Sequence, residues 1–235
     1  MELIFRADAY AQRCTATVTA ADDRGIRLDR TVFYPTGGGQ PGDTGTLTAG
    51  GSVIRIVDTV KGDGADEIIH VPEPGTALPA PGTAVEAEID WNRRHRHMRM
   101  HTAMHLLCAV VPGSVTGGQV GADKSRLDFN VPTGSLDKDA ITAAINERIA
   151  EDRPVSQRWI TDAEMEARPE LVRTMSVKPP TGSGTVRLLD IEGVDLQPCG
   201  GTHVARTGEI GAVEVVKIEN KGKQNRRVVI ALVDA

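Results

Sequence analysis

Aromatic residues are almost missing: two Trp, two Tyr and three Phe make up 3% of 235 residues. The cores must therefore be packed from Val, Ile, Leu and Ala. No apolar run is long enough to cross a bilayer. The start, Met1-Glu2-Leu3-Ile4-Phe5-Arg6, lacks the basic and apolar regions of a secretory signal. A cytoplasmic protein with no membrane partner is expected. An excess of positive charge is also lacking, because 27 Lys and Arg face 32 Asp and Glu for a net charge of −5. A nucleic-acid partner would have to be gripped by local basic patches. Cysteine is sparse, odd in number and widely spaced at Cys14, Cys108 and Cys199, which excludes a disulfide framework. Cys14 and Cys108 lie in strand-like and helix-like runs and read as apolar filler. Neither an internal repeat nor a low-complexity segment is present.

The chain holds many short strands with frequent turns in its first ~90 residues. Cys14 to Ala20 alternates Thr with Ala or Val, Asp22-Asp23-Arg24-Gly25 supplies a turn, and Ile26 to Val32 reads as the return strand. Ser52 to Asp58 and Ala84 to Ile89 are further strands. This pattern predicts a small β-barrel or sandwich over residues 1–90. The Pro- and Gly-rich stretch 72–82 is not read as a linker, because the strand after it would be left without a sheet. Beyond residue 90 the period turns helical from Arg93 to Val111, where Pro112-Gly113 stops it. Asp137 to Ala150 places Ile141, Ile145 and Ile149 on one face, with Ser135 or Asp137 as its cap. Strands follow at Val155 to Ile160, Thr185 to Ile191, Gly211 to Ile218 and Arg227 to Val233. Residues 91–235 therefore read as a two-layer α/β domain, and the whole chain as α+β.

Four residues suggest chemistry. His101 and His105 stand at i, i+4 on the expected helix, which puts both imidazoles on one face. Cys199-Gly-Gly-Thr-His203 pairs a thiol with a third imidazole across glycines that let the backbone turn. Three imidazoles and a thiolate suit zinc, one ion per chain. The position after His101, where a zinc peptidase carries its general base, is Thr102. Four protein donors leave two readings open. A closed tetrahedral zinc is usually structural, whereas a catalytic one keeps a free position or relegates one residue to an outer role.

Other residues read as a candidate surface. Gly37, Gly38, Gly39 and Gln40 form a loop whose N–H groups could hold phosphate or ribose oxygens, or else a plain turn between strands. No Lys-Ser/Thr follows, so it is not a P-loop. Gln119 follows Gly117-Gly118 and could present a donor and an acceptor to a small substrate. Arg93, Arg94, Arg96 and Arg99 run into the His101 helix, and Lys217, Lys221, Lys223, Arg226 and Arg227 crowd the last hairpin. Two basic clusters fit a phosphate-tracking surface.

These motifs together resemble the alanyl-tRNA editing proteins and the editing region of alanyl-tRNA synthetase. The second additional domain of threonyl-tRNA synthetase is a more distant likeness. His101-Thr-Ala-Met-His105-Leu-Leu, Arg126-Leu-Asp-Phe129, Cys199-Gly-Gly-Thr-His203 and Thr207-Gly-Glu-Ile-Gly211 occur in the family's order. Gly37-Gly-Gly-Gln-Pro-Gly-Asp43 is similar to the glycine motif of its medium-length members. The resemblance implies a small N-terminal barrel, then a zinc-binding tRNA-editing domain with His101, His105, Cys199 and His203 as ligands. It also implies Gln119 as the substrate-selecting residue. The implied reaction is zinc-dependent hydrolysis of mischarged tRNA(Ala), chiefly the seryl ester with the glycyl ester second. It would act in trans, with no ATP and no obligatory protein partner. Two readings compete: a tRNA-binding module with a structural zinc and no turnover, and a zinc hydrolase of free small molecules.

Overall fold

The computed structural model describes residues 1–64, 66–131, 136–173 and 184–233; the alternative cap Ser135 lies outside them. The chain divides into two compact units, Met1–Arg96 and His97–Ala235. Among the described residues no helix is long and apolar enough to cross a membrane.

The first unit runs β1 (Glu2–Leu3), α1 (Ile4–Ala7), β2 (Arg13–Asp22), β3 (Gly25–Leu28), β4 (Arg30–Thr31), β5 (Gly45–Ala49), β6 (Ser52–Lys61), β7 (Ile68–Pro72) and β8 (Ala84–Ile89). Six strands close into an antiparallel barrel in the order β2-β3-β7-β6-β5-β8. Alternation fills it: Val85, Ala87 and Ile89 of β8 point inward with Val18, Ile26, Leu28, Leu47, Ile54 and Ile56. The expected return strand Ile26 to Val32 is broken in two. β3 stops at Leu28, and Arg30–Thr31 pairs in parallel with β1 instead. Stretch 72–82 connects β7 to β8 within the barrel.

Two buried polar networks stand beside the edge-on contacts of Phe5 with Tyr34 and of Phe33 with His70. Arg94 (0% exposed) and Asp43 (1%) pair inside the unit. Arg94 Nε lies 2.9 Å and 3.0 Å from the two Asp43 oxygens, and the remaining guanidinium nitrogens donate to Ala9 O and Val32 O. Asp43 also accepts from the Tyr34 N–H at 2.7 Å. Removing one partner leaves the other charge buried and unpaired, at a cost of about 3–5 kcal/mol. Gly42 sits beside this pair because a Cβ there would lie 2.0 Å from Thr59 O. In the second network, fully buried His70 bridges two strands. Its Nδ1 donates to Ile26 O at 3.0 Å, since a carbonyl can only accept. Its Nε2 therefore accepts from the Thr31 hydroxyl at 2.8 Å.

Helix α2 (Trp91–Val110) begins in the first unit and continues in the second. The second unit continues with β9 (Ser114–Gln119), β10 (Lys124–Asn130), α3 (Lys138–Ala150), β11 (Val155–Thr161), α4 (Asp162–Glu166), β12 (Thr185–Ile191), β13 (Asp195–Pro198), β14 (Ala212–Asn220) and β15 (Asn225–Val233). Two antiparallel sheets result, β14-β15-β10-β9 and β11-β12-β13. Asp137 caps α3 by accepting from the Ala140 N–H at 2.9 Å, and Ile141, Ile145 and Ile149 are its buried face. α3 lies along β14. The Asn146 side chain donates to Val213 O and accepts from Val213 N, and the Thr142 hydroxyl accepts from Val215 N.

Burial holds the His70 imidazole down to about 4, outweighing its bond to Ile26 O. Its native value lies below the unfolded value near 6.5, so below that pH the unfolded chain binds a proton that the native barrel refuses. Stability is full above pH 6.5 and falls as pH drops toward 4, by roughly 3 kcal/mol for this group. Urea unfolding across this range should show that slope in the wild type and a flatter one in His70→Gln. Equal slopes would mean that His70 is not the group responsible.

Candidate metal centre

The i, i+4 spacing on α2 brings His101 and His105 one above the other, with ring centroids 5.5 Å apart. Cys199 and His203 come from the loop after β13. The ligand atoms of all four residues lie within 4.8 Å of one another. Cys199 Sγ is 3.6 Å from His101 Nε2 and 3.2 Å from His203 Nε2. The three imidazoles are buried and Cys199 is half-buried. A thiol and three imidazoles converging on one point form a donor set for a transition-metal ion, and zinc fits that chemistry.

What lies behind the rings supports that fit. His105 Nδ1 meets an Asp195 carboxylate oxygen at 2.8 Å, and Gln197 donates to the same oxygen at 2.7 Å. The carboxylate can only accept, so His105 carries its proton on Nδ1 and turns Nε2 to the centre. Thr102 does the same for His203. Its hydroxyl donates to Met98 O, leaving its oxygen to accept from His203 Nδ1 at 3.2 Å and from Val204 N–H at 3.3 Å. The loop itself is held by buried Arg187, whose Nη1 donates to Cys199 O at 2.9 Å and Gly201 O at 2.8 Å.

Electrostatics follow from this packing. Burial presses His203 down to about 3, against the pull of the Cys199 thiolate. Burial also opposes a charge on His105, but the bond to Asp195 and the neighbouring Cys199 outweigh it and lift His105 up to about 10. Burial would raise Cys199 too, yet the imidazoles of His101 and His203 overcome it and hold the thiol well below its ordinary range. The centre thus favours the thiolate form that ligates metals. Cys108 is the opposite case: burial pushes its thiol up to about 12, as befits inert filler.

Asp195, Gln197 and Arg187 were not singled out from sequence. A signal existed for the first two, because Asp195 and Gln197 alternate along β13 toward Cys199 just beyond its end and so share a face. Thr102 was noticed only as the absence of a peptidase base. Nothing local marks Arg187.

Several expected site residues stand elsewhere. Arg94 is sealed against Asp43 and offers no charge to a phosphate. Gln40 is fully buried and closes the turn through two backbone bonds with Gly37, so only Gly38 and Gly39 remain as the exposed tip. Gly117-Gly118-Gln119 is not a loop but the end of β9, in register with Asp128, Leu127 and Arg126. A Cβ on Gly118 would meet Leu127 of β10 at 2.7 Å, with Met104 of α2 on the same side at 3.5 Å. By alternation exposed Gln119 therefore points to the other face, away from the helix that carries His101 and His105. Arg93 and Arg99 are half-buried and donate to Gly42 O and Ile210 O; Arg96 is also half-buried. Lys221 and Lys223 are exposed at the β14–β15 turn, with Lys221 3.6 Å from Glu219. Half-buried Arg226 leans on Gly222 O and Lys223 O. Lys217 is tied to Glu219, and Arg227 to Asp128.

Comparison with known proteins agrees with these motifs. Residues 186–229 match the threonyl and alanyl tRNA synthetase second additional domain, and residues 5–93 match the class II (A) tRNA synthetases. The chain is 39% identical to the alanyl-tRNA editing protein AlaX-M of Methanosarcina acetivorans, over 99% of both chains. It is 33% identical to AlaX-M of Saccharolobus solfataricus over 97% of both. An alanine–tRNA ligase of Halorubrum lacusprofundi is 39% identical over 88% of this chain but only 22% of its own length.

Metal titration tests the centre. The wild type should take up one equivalent of added Zn2+, and Cys199→Ala should lose most of that capacity. Asp195→Ala should bind about 10–100-fold more weakly, the usual penalty for losing the partner behind a ligating histidine. Unchanged affinity in Asp195→Ala would show that the carboxylate does not support the ligand.

Proposed function

The chain belongs to the alanyl-tRNA editing protein family, and from that premise we propose that it hydrolyses the ester of mischarged tRNA(Ala) in trans. The seryl ester is the chief substrate and the glycyl ester the second. The observation that carries this reading is the convergence of His101, His105, Cys199 and His203, each imidazole nitrogen of His105 and His203 being aimed from behind. These four would hold one zinc ion. When bound, zinc supplies Lewis acidity to an ester carbonyl or a water.

The chain's own residues do the rest. Asp195 and Thr102 fix the orientation of His105 and His203. Arg187 keeps the Cys199 loop against β12. Water adds to the ester carbonyl and the ribose oxygen leaves, taking a proton to regenerate the tRNA hydroxyl. Such a second sieve is needed because a pocket for alanine rejects an added hydroxyl by only about a hundredfold. With Arg94 and Gln40 buried, exposed Lys221, Lys223, Gly38 and Gly39 and half-buried Gly37, Arg93, Arg96, Arg99 and Arg226 are the groups proposed to meet tRNA phosphates. The four-donor set also favours a second reading, a tRNA-binding module whose closed zinc is structural.

Deacylation of seryl-, glycyl- and alanyl-tRNA side by side separates the two. An editing enzyme cleaves the seryl ester fastest and stalls in Cys199→Ala; a binding module slows loss of the ester below the rate in buffer. Gln119→Ala should leave the seryl-to-alanyl ratio unchanged, because its side chain faces away from α2. A collapsed ratio would return it to the pocket.

A further inference from the structure

Strand register places an exposed aromatic on the same sheet face as the metal centre. In β11-β12-β13, Trp159 of β11 is paired with Arg187 of β12. On the other side of β12, Leu188 pairs with Pro198, and Cys199 N–H continues that ladder by donating to Arg187 O at 3.2 Å. Trp159, Arg187 and Cys199 thus form one row across three strands, about 10 Å from end to end by strand spacing. Cross-strand partners share a face. This face is the one that carries Asp195 and Gln197 against His105. The opposite face is occupied by Ile160, Val186 and Leu188, packed on Met165 and Leu171.

Trp159 is 53% exposed, and among the described residues it is the one aromatic with a large exposed surface. A protein with two tryptophans has placed one of them in water. Beside it, Gln157 lies on the same face two residues away. Its Oε1 accepts from Arg187 Nε at 2.7 Å. With the oxygen held, the amide orientation is fixed and the Nε2 hydrogens are left to donate outward. A flat apolar ring with a fixed N–H donor next to it has the chemistry of a nucleobase platform. Every base has a π-face, and an edge or ribose oxygen accepts the bond.

We propose that Trp159 stacks a nucleobase of the single-stranded 3′ end of the tRNA, with Gln157 donating to that nucleotide. This rests on the editing reading above, since a reacting ester at the metal centre lies one ribose away from its own base. β11 is also the outer strand of its sheet, and a second copy of the chain is the alternative occupant of this face.

The trinucleotide 5′-CCA-3′ and uncharged tRNA are the probes. Both should quench wild-type indole fluorescence. Trp159→Phe should abolish the quench while keeping KM for seryl-tRNA within a few-fold, because a ring remains. Trp159→Ala should raise KM by roughly ten- to a hundredfold with kcat little changed, the effect of losing one stacked base. An unquenched wild type, an unchanged KM in Trp159→Ala, or no rescue by Phe would each overturn the proposal. So would a wild-type dimer that becomes a monomer in Trp159→Ala, which would assign the face to self-association. If the wild type cleaves no charged tRNA yet Trp159 is still quenched by the trinucleotide, the editing reading falls and the stacking site stands.

Discussion

Imidazoles that converge on a thiol away from water need partners for the ring nitrogens that face outward, and the second unit supplies them to His105 and His203. A buried ring nitrogen without a partner would cost much of what the packing gains. Asp195 answers for His105, and Thr102 answers for His203. Arg187 performs the corresponding task for the loop, by binding two of its carbonyls rather than any ligand atom. The shifts in proton affinity are one consequence of this arrangement. Burial opposes the charge on both rings, but the Asp195 carboxylate helps lift His105 to about 10, while His203, buried beside two other imidazoles and without a carboxylate, falls to about 3. Two residues of one type, in contact with the same thiolate, are driven apart by what stands behind them.

The first unit solves a different difficulty with similar means. Its core buries Phe33 among aliphatic side chains, but apolar packing does not satisfy the backbone groups that lead into and out of the barrel. Those are met by Arg94 on Asp43, Ala9 and Val32, and by His70 between β3 and the Thr31 hydroxyl. Fully satisfied buried networks give a core one arrangement, because any shift leaves a donor or acceptor unmet.

Much of this was legible in the sequence, and the misreadings share a cause. Period 2 marked Ala84–Ile89, a short non-alternating apolar run marked Thr185–Ile191, and period 3.6 marked the helix that bears His101 and His105. These are local signals, set by which face of an element is apolar. Arg94 reads as a phosphate contact because it stands in a basic cluster, and Gln40 because it ends a glycine-rich loop. Their burial depends on Asp43 and on the turn around Gly37, fifty-one and three residues away. Gly117-Gly118 was read as a loop because glycine is a turn former. In the structure Gly118 makes room for the Leu127 side chain of β10, which a Cβ would meet at 2.7 Å, a tertiary reason that composition does not carry. Asp195 stood in plain alternation with Cys199, and its role became visible only when α2 brought His105 opposite.

The side chains of α3 impersonate a strand. Asn146 offers Val213 both a donor and an acceptor, and Thr142 takes the next inward N–H at Val215. A bare sheet border is an invitation to any other extended chain, including a nascent or partly unfolded copy of the same protein. Here the border of β14 answers to two polar side chains fixed on a rigid helix, which no intruding peptide can displace without breaking three bonds at once. Crowded conditions that drive other sheets to recruit neighbours should therefore find the first half of this border already engaged, by the Asn146 amide and the Thr142 hydroxyl together.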